Sequence, residues 1–130
     1  MTATKANSRF FYDSYAVVEY LNGNKNYKPY FEGPDGVLTK LNLMEIYFKA
    51  LTGVGAKAAT QVLDSFAQYL IDFDVDDIKG AMDLRLKLKN KGLDISYADA
   101  LGYYLARRLG MVFLTGDDEF KELGYVEFVK

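Results

Sequence analysis

Residues 96–120 read SYADALGYYLARRLGMVFLTGDDEF, and the fold follows from this stretch. Ser96 is suited to cap a helix and Asp99 falls at its third position, where an acid can reach back to the cap. Apolar residues then recur at Ala98, Leu101, Leu105 and Leu109, close to the helical period. Arg107 and Arg108 occupy the last turn, where cations complement the helix dipole, and Gly110 can take the left-handed position that ends a helix. Met111, Val112, Phe113 and Leu114 form an unbroken apolar run, the pattern of a parallel strand buried on both faces. The run ends in Thr115-Gly116-Asp117-Asp118, which sets carboxylates just past the carboxyl end of a strand. In open α/β sheets that edge is where ligands bind.

The pattern extends outward on both sides. Residues 9–12 form a short aromatic strand closed by Asp13, and Ser14 is placed to cap a helix through Val17, Val18 and Leu21. A helical turn is expected around Pro29, a tight turn at Gly33-Pro34-Asp35-Gly36 and a short strand at 37–39. Asn42 is expected to cap the next helix, with Glu45 at its third position, running to Gly53. A further helix covers about residues 56–71, its apolar stripe made by Ala59, Val62, Leu63, Phe66 and Leu70. A weak strand is expected at 73–75, then a helix capped by Asp76 and running to about Lys91. Leu84, Leu86 and Leu88 alternate with Arg85, Lys87 and Lys89 there, as in a strand, but Leu and Lys favour helix over strand. After the opening stretch come a helical turn at 119–123 and an edge strand at 125–129. Residues 1–8 read as a flexible N-terminal segment and 9–130 as a single domain. Strands alternating with helices predict an α/β fold with a central parallel sheet covered on both faces.

Composition narrows the chemistry. The 130 residues contain no Cys and no His, which excludes disulfides, thiolate catalysis and zinc–sulfur sites and removes the commonest general base. A net charge of −2 carries no basic footprint for nucleic acid. No apolar run reaches membrane-spanning length, and the opening MTATKANSR has no apolar stretch after it, so a cytoplasmic location is the expectation.

Four acids occupy related positions. Asp13 and Asp117 follow strand carboxyl ends, whereas Glu45 and Asp99 are expected in first helical turns. Right-handed crossovers bring both kinds of position to one rim of the sheet. Each acid has an ordinary structural reading: Glu45 and Asp99 as capping acids, Asp13 as a strand-end turn residue, and Asp117 as surface beside Asp118 and Glu119. Taken together they would repel one another, and a divalent cation removes that conflict. Ligands made only of oxygen select a hard ion, Mg²⁺ or Mn²⁺. Such an ion, with water positions left open, suits phosphate chemistry.

Tyr12-Asp13-Ser14, Asn42-Leu43-Met44-Glu45, Ser96-Tyr97-Ala98-Asp99-Ala100 and Leu114-Thr115-Gly116-Asp117-Asp118-Glu119-Phe120 resemble, in order and spacing, the successive motifs of PIN-domain ribonucleases. A single short domain of this kind is most similar to the toxin half of VapBC (VapC-like) toxin–antitoxin pairs. The resemblance implies a three-layer α/β/α sandwich and a Mg²⁺- or Mn²⁺-dependent endoribonuclease. It implies that Asp13, Glu45, Asp99 and Asp117 are the catalytic and metal-holding residues, supported by the hydroxyls of Ser14 and Thr115. It further implies an RNA substrate, an antitoxin partner and a homodimer. The chain departs from the family at Tyr15, where a small polar residue is usual, and at Gly116, where Arg is frequent. Two alternatives stand beside the toxin: a non-catalytic binding module on the same fold, which Tyr15 keeps open, and an RNA-processing nuclease without an antitoxin.

Overall fold

Strand β1 (Phe10–Tyr12) is buried at all three residues, because it lies inside a sheet with helices on either face. The structure, a computed structural model, describes residues 9–33 and 36–130. The expected flexible segment at 1–8 and the centre of the expected turn, Pro34 and Asp35, lie outside the described residues. Strand β2 (Val112–Thr115) pairs parallel with β1, Phe11 opposite Phe113 and Tyr12 opposite Leu114. Strand β3 (Val126–Phe128) pairs parallel with the other edge of β2, setting Phe128 opposite Thr115. The late strand β2 is therefore central in the order β1-β2-β3.

Beyond β1 the sheet continues only as single bridges, Phe11 with Val37 and Leu38 with Leu70. The strand expected at 37–39 is reduced to these bridges. The strand expected at 73–75 is absent, since the chain reaches Leu38 earlier, through the Tyr69 carbonyl (3.1 Å) and the Ile71 N–H (2.9 Å).

Among the described residues six helices cover the sheet: α1 (Ser14–Leu21), α2 (Lys28–Phe31), α3 (Lys40–Val54), α4 (Ala56–Ala67), α5 (Val75–Asn90) and α6 (Tyr97–Arg108). Alternate strand residues point to opposite faces. Phe11 and Phe113 join one core with Ala81 and Leu88 of α5 and Leu101 and Leu105 of α6. Phe10, Tyr12 and Leu114 join the other, with Val17, Tyr30, Ile46 and Phe66 from α1 to α4. The result is the expected three-layer α/β/α sandwich. Gly102 lets α6 approach closely, since a Cβ there would press into the Phe11 and Phe113 rings. Burying two such rings on the sheet contributes about 1.5–3 kcal/mol each.

Local rules explain the helix ends. Ser96 Oγ accepts the Asp99 N–H (3.0 Å) and Gly110 takes φ 70°, as expected. Leu109, expected in the buried stripe, is exposed; Tyr103 and Ala106 fill that face. Helix α5 is capped by Asp74 rather than Asp76. Asp74 Oδ1 accepts from Asp77 N (2.9 Å) and Asp77 Oδ2 accepts from Asp74 N (3.0 Å), closing a reciprocal box. The Leu84–Leu88 alternation is helical, so Leu88 is buried while Leu86 is exposed. Arg108 also does more than complement its helix dipole. Its Nε lies 2.9 Å from Asp77 Oδ1 and ties α6 to the start of α5. Among the described residues no helix is long and apolar enough to cross a membrane.

Candidate active site

The pairing of β1 with β2 builds the site. Because Tyr12 lies opposite Leu114, the next residues, Asp13 and Thr115, meet at the carboxyl rim. Thr115 Oγ1 donates to Asp13 Oδ2 at 2.6 Å, both side chains being buried. Asp13, not Ser14, occupies the N-cap position of α1, yet it makes no capping bond; its carboxylate turns to the rim instead. Asp99, in the first turn of α6, comes into hydrogen-bonding contact with Asp13. The two acids are 86 positions apart in the chain and belong to different elements.

Glu45 sits in the second turn of α3, not at its third residue. Helix α3 begins at Lys40 with Thr39 as its cap, and the third position belongs to Asn42, whose Oδ1 accepts the Thr39 N–H (3.0 Å). The structural reading of Glu45 as a capping acid is thereby removed. Asn42 Nδ2 donates to Ser14 Oγ (3.0 Å), and Ser14 Oγ donates to Glu45 Oε1 (2.8 Å). A relay running from buried Asn42 and Ser14 out to exposed Glu45 thus holds that carboxylate from α1 and α3 together.

Asp117 follows β2. Its N–H donates to Thr115 Oγ1 (3.0 Å) and its Oδ1 accepts from Glu119 N (3.0 Å) at the start of a 3₁₀ turn, Asp118–Phe120. Of its neighbours, Asp118 is engaged elsewhere, by Lys130 Nζ at 3.2 Å. Thr115 is the hub: its hydroxyl donates to Asp13 and accepts from the Asp117 backbone.

The electrostatics follow from burial. Asp99 is pushed up to about 9 by burial first, then by the charge of Asp13 and by its hydrogen bond to it, with Glu45 and Asp117 adding repulsion. Asp13 is also raised, by burial above all, while the hydrogen bonds from Asp99 and Thr115 pull it down and Glu45 and Asp117 push it up. The pair therefore shares a proton near neutral pH, with Asp99 as the donor. All four acids expected at one rim interact electrostatically here.

The donor set fits a hard divalent cation. It offers oxygen alone, and its acids are held at mutual cost until a positive charge arrives. Among the described residues no three acidic side chains already surround one point. Mg²⁺ keeps several of its waters and is bound through one or two carboxylates rather than a complete protein cage. Loading it at this pair requires Asp99 to give up its proton.

Sequence reasoning left Thr39 in a strand and made Asn42 the cap, although Thr39-x-x-Asn42 has the spacing of a cap and its third-position partner. It also missed Tyr27, whose hydroxyl donates to the Val129 carbonyl and whose proton is held tightly, by burial first and then by neighbouring Tyr15, Glu19 and Asp13. A groove of about 650 Å³ is lined by Val18, Leu21, Ile46, Val62 and Phe66, among others, and its lining contains none of the four acids. The acidic rim, not this groove, is thus the candidate for chemistry.

The sequence profile of the PIN domain family matches residues 10–125. No curated protein sequence matches the chain. Among solved structures it is similar to VapBC2 from Rickettsia felis bound to a DNA fragment from their promoter, with a TM-score of 0.75 and 21% identity over 94% of this chain and 99% of that one. It is similar to DNA-bound VapBC from Salmonella typhimurium, with a TM-score of 0.74 and 19% identity over 94% and 97%. A third is VapBC-5 from Mycobacterium tuberculosis, a toxin–antitoxin member, with a TM-score of 0.66 and 17% identity over 95% and 98%.

Proposed function

The chain belongs to the PIN domain family, and from that premise we propose that it is a Mg²⁺- or Mn²⁺-dependent endoribonuclease, the toxin of a toxin–antitoxin pair. One observation carries the proposal: Asp13 and Asp99, from distant parts of the chain, meet in hydrogen-bonding contact at the carboxyl rim of the sheet. Asp13, Glu45, Asp99 and Asp117 are the residues we assign to hold the cation and carry the reaction, with Ser14 and Thr115 in support.

A divalent ion bound there would polarise a phosphoryl oxygen and promote ionisation of an attacking water. The chain's own residues do the rest. Thr115 fixes the Asp13 carboxylate in one orientation, so no side-chain reorganisation is needed when substrate arrives. Asp99, which holds a proton beside Asp13, would have to be ionised to serve as a ligand to such an ion. Ser14 holds Glu45 Oε1, leaving Oε2 to orient the water and accept its proton. The water oxygen bonds to phosphorus, the bond from phosphorus to the 3′ oxygen breaks in line, and that oxygen takes a proton from solvent.

The test is cleavage of single-stranded RNA in Mn²⁺ by the wild type, Asp13→Asn and Asp99→Asn. Each variant is expected to lose at least about a hundredfold in rate, as does the wild type in excess EDTA. Full activity in both variants, or in EDTA, refutes the reading. Failure of the folded wild type to bind Mn²⁺ at millimolar levels points instead to a non-catalytic module. The toxin reading draws on the similar solved structures, which are VapBC complexes. It predicts a small antitoxin that co-purifies with the chain, a cytoplasmic location, and a homodimer by light scattering.

A further inference from the structure

We infer that Tyr15, Phe128 and Lys130 form a subsite that stacks one unpaired base of the RNA and holds a neighbouring phosphate beside the acidic rim. The inference rests on the nuclease reading and adds how the substrate is held.

Placement is the first argument. Tyr15 follows Asp13 by two residues, and Phe128 is the strand partner of Thr115, the residue that donates to Asp13. Phe128 therefore lies on the strand beside the one that carries Thr115, and Tyr15 in the first turn of the helix that Asp13 caps. Lys130 Nζ sits 5.4 Å from the Tyr15 ring centre and 5.6 Å from that of Phe128. A second cation, Lys121, lies 5.9 Å from the Phe128 ring centre. Aromatic faces interleaved with lysines are what sequence-tolerant binding of single strands requires. A paired base in a duplex would not expose its face to these rings.

Preorganisation is the second. Tyr15 is packed against Gly116, where any Cβ would collide with its ring and with the Val129 carbonyl. Tyr15 and Gly116 are thus one packing unit. The Tyr27 ring, 6.4 Å away, backs Tyr15 on another side. The ring is held in place before any ligand binds.

Exchangeability is the third. Lys130 pairs with Asp118, but the side chains are 54% and 77% exposed. Such a pair contributes little to stability, so a phosphate can displace Asp118 at small cost. The end of the chain does not depend on Lys130, because Val129 N donates to the Thr115 carbonyl (3.0 Å) and Tyr27 donates to the Val129 carbonyl.

The test uses a single-stranded oligoribonucleotide carrying 2-aminopurine, whose fluorescence is quenched on stacking, titrated in an Asp99→Asn background with its integrity checked on a gel. Quenching should saturate, and Tyr15→Ser or Lys130→Gln should each weaken binding roughly tenfold, whereas Tyr15→Phe and Lys130→Arg should stay within about twofold. Binding without quenching, no binding, or unchanged affinity in Lys130→Gln overturns the subsite; this variant decides if Tyr15→Ser fails to fold. Mn²⁺-dependent cleavage separates the two readings. An Asp99-containing protein that binds with quenching but never cleaves refutes the nuclease alone. Cleavage with unchanged KM in Tyr15→Ser and Lys130→Gln refutes the subsite alone.

Discussion

Asp99→Asn separates the two states of this carboxyl. In the metal-free protein at neutral pH, Asp99 holds its proton and donates to Asp13. An Asn amide offers a donor of similar shape at the same place. The wild type, unlike the variant, also bears the cost of keeping a proton that its unfolded chain releases, so at neutral pH the metal-free variant should be at least as stable as the wild type. Cation binding changes the comparison. At a Mn²⁺ concentration about a hundred times its dissociation constant, the wild type gains ~2.7 kcal/mol. With an unfolding entropy of roughly 2.1 cal/mol/K per residue, that raises the Tm of a chain this long by roughly 10 °C. Asn cannot become an anion, so most of the rise should vanish, leaving under about 4 °C. Scanning calorimetry of both proteins, with and without Mn²⁺, measures the four values. Titration calorimetry in buffers of different ionisation enthalpy should also show the wild type releasing a proton on binding and the variant releasing none. An equal Mn²⁺-induced rise in both proteins would falsify the reasoning. So would a metal-free variant many degrees less stable than the wild type, since burial and the charge of Asp13 would then not be opposing ionisation of Asp99.

Raising the pH of the metal-free protein should destabilise it. Between the ordinary value of 3.8 and about 9, folded Asp99 keeps a proton that the unfolded chain has lost. Stability therefore falls as pH rises through that window, and Tm followed from about pH 6 to about pH 8.5 should drop less in Asp99→Asn than in the wild type. Gly102→Ala should cost ~1–3 kcal/mol in urea unfolding, because its Cβ meets the Phe11 and Phe113 rings; a neutral result would mean that α6 can back away from the sheet. Arg108→Ala removes the ion-pair partner of buried Asp77. It should cost ~1–2 kcal/mol by the same assay, less than breaking a fully buried pair, because Arg108 is itself half exposed.

What the chain revealed beforehand was local. Ser96, Asp99 and Gly110 announced helix α6 because caps and left-handed glycines act within a few residues of their own position. The parallel sheet and its two helical layers followed from the alternation of elements. Errors arose where a neighbouring candidate competed for the same role. Asp74 and Asp76 are both plausible caps, and only Asp74 has an acid three residues on whose side chain returns the bond. Thr39 and Asn42 form the same kind of pair, and Asn42 read alone displaced Glu45 by a turn. The acids' contacts were not legible from spacing. Asp13 touches Thr115 and Ser14 touches Glu45 through strand register and helix packing, which no local pattern records. The weak strand at 73–75 failed because a reciprocal cap claimed Asp74 first.

The order in which a ribosome delivers these parts has a consequence of its own. The central strand of the sheet is synthesised long after β1, and it carries the threonine that orients Asp13 from 102 residues further along the chain. A nascent polypeptide that ends before residue 115 has β1 but neither its neighbour nor that hydroxyl. Until residue 115 has been made, the Asp13 carboxylate has no threonine to orient it, and this part of the rim cannot assemble.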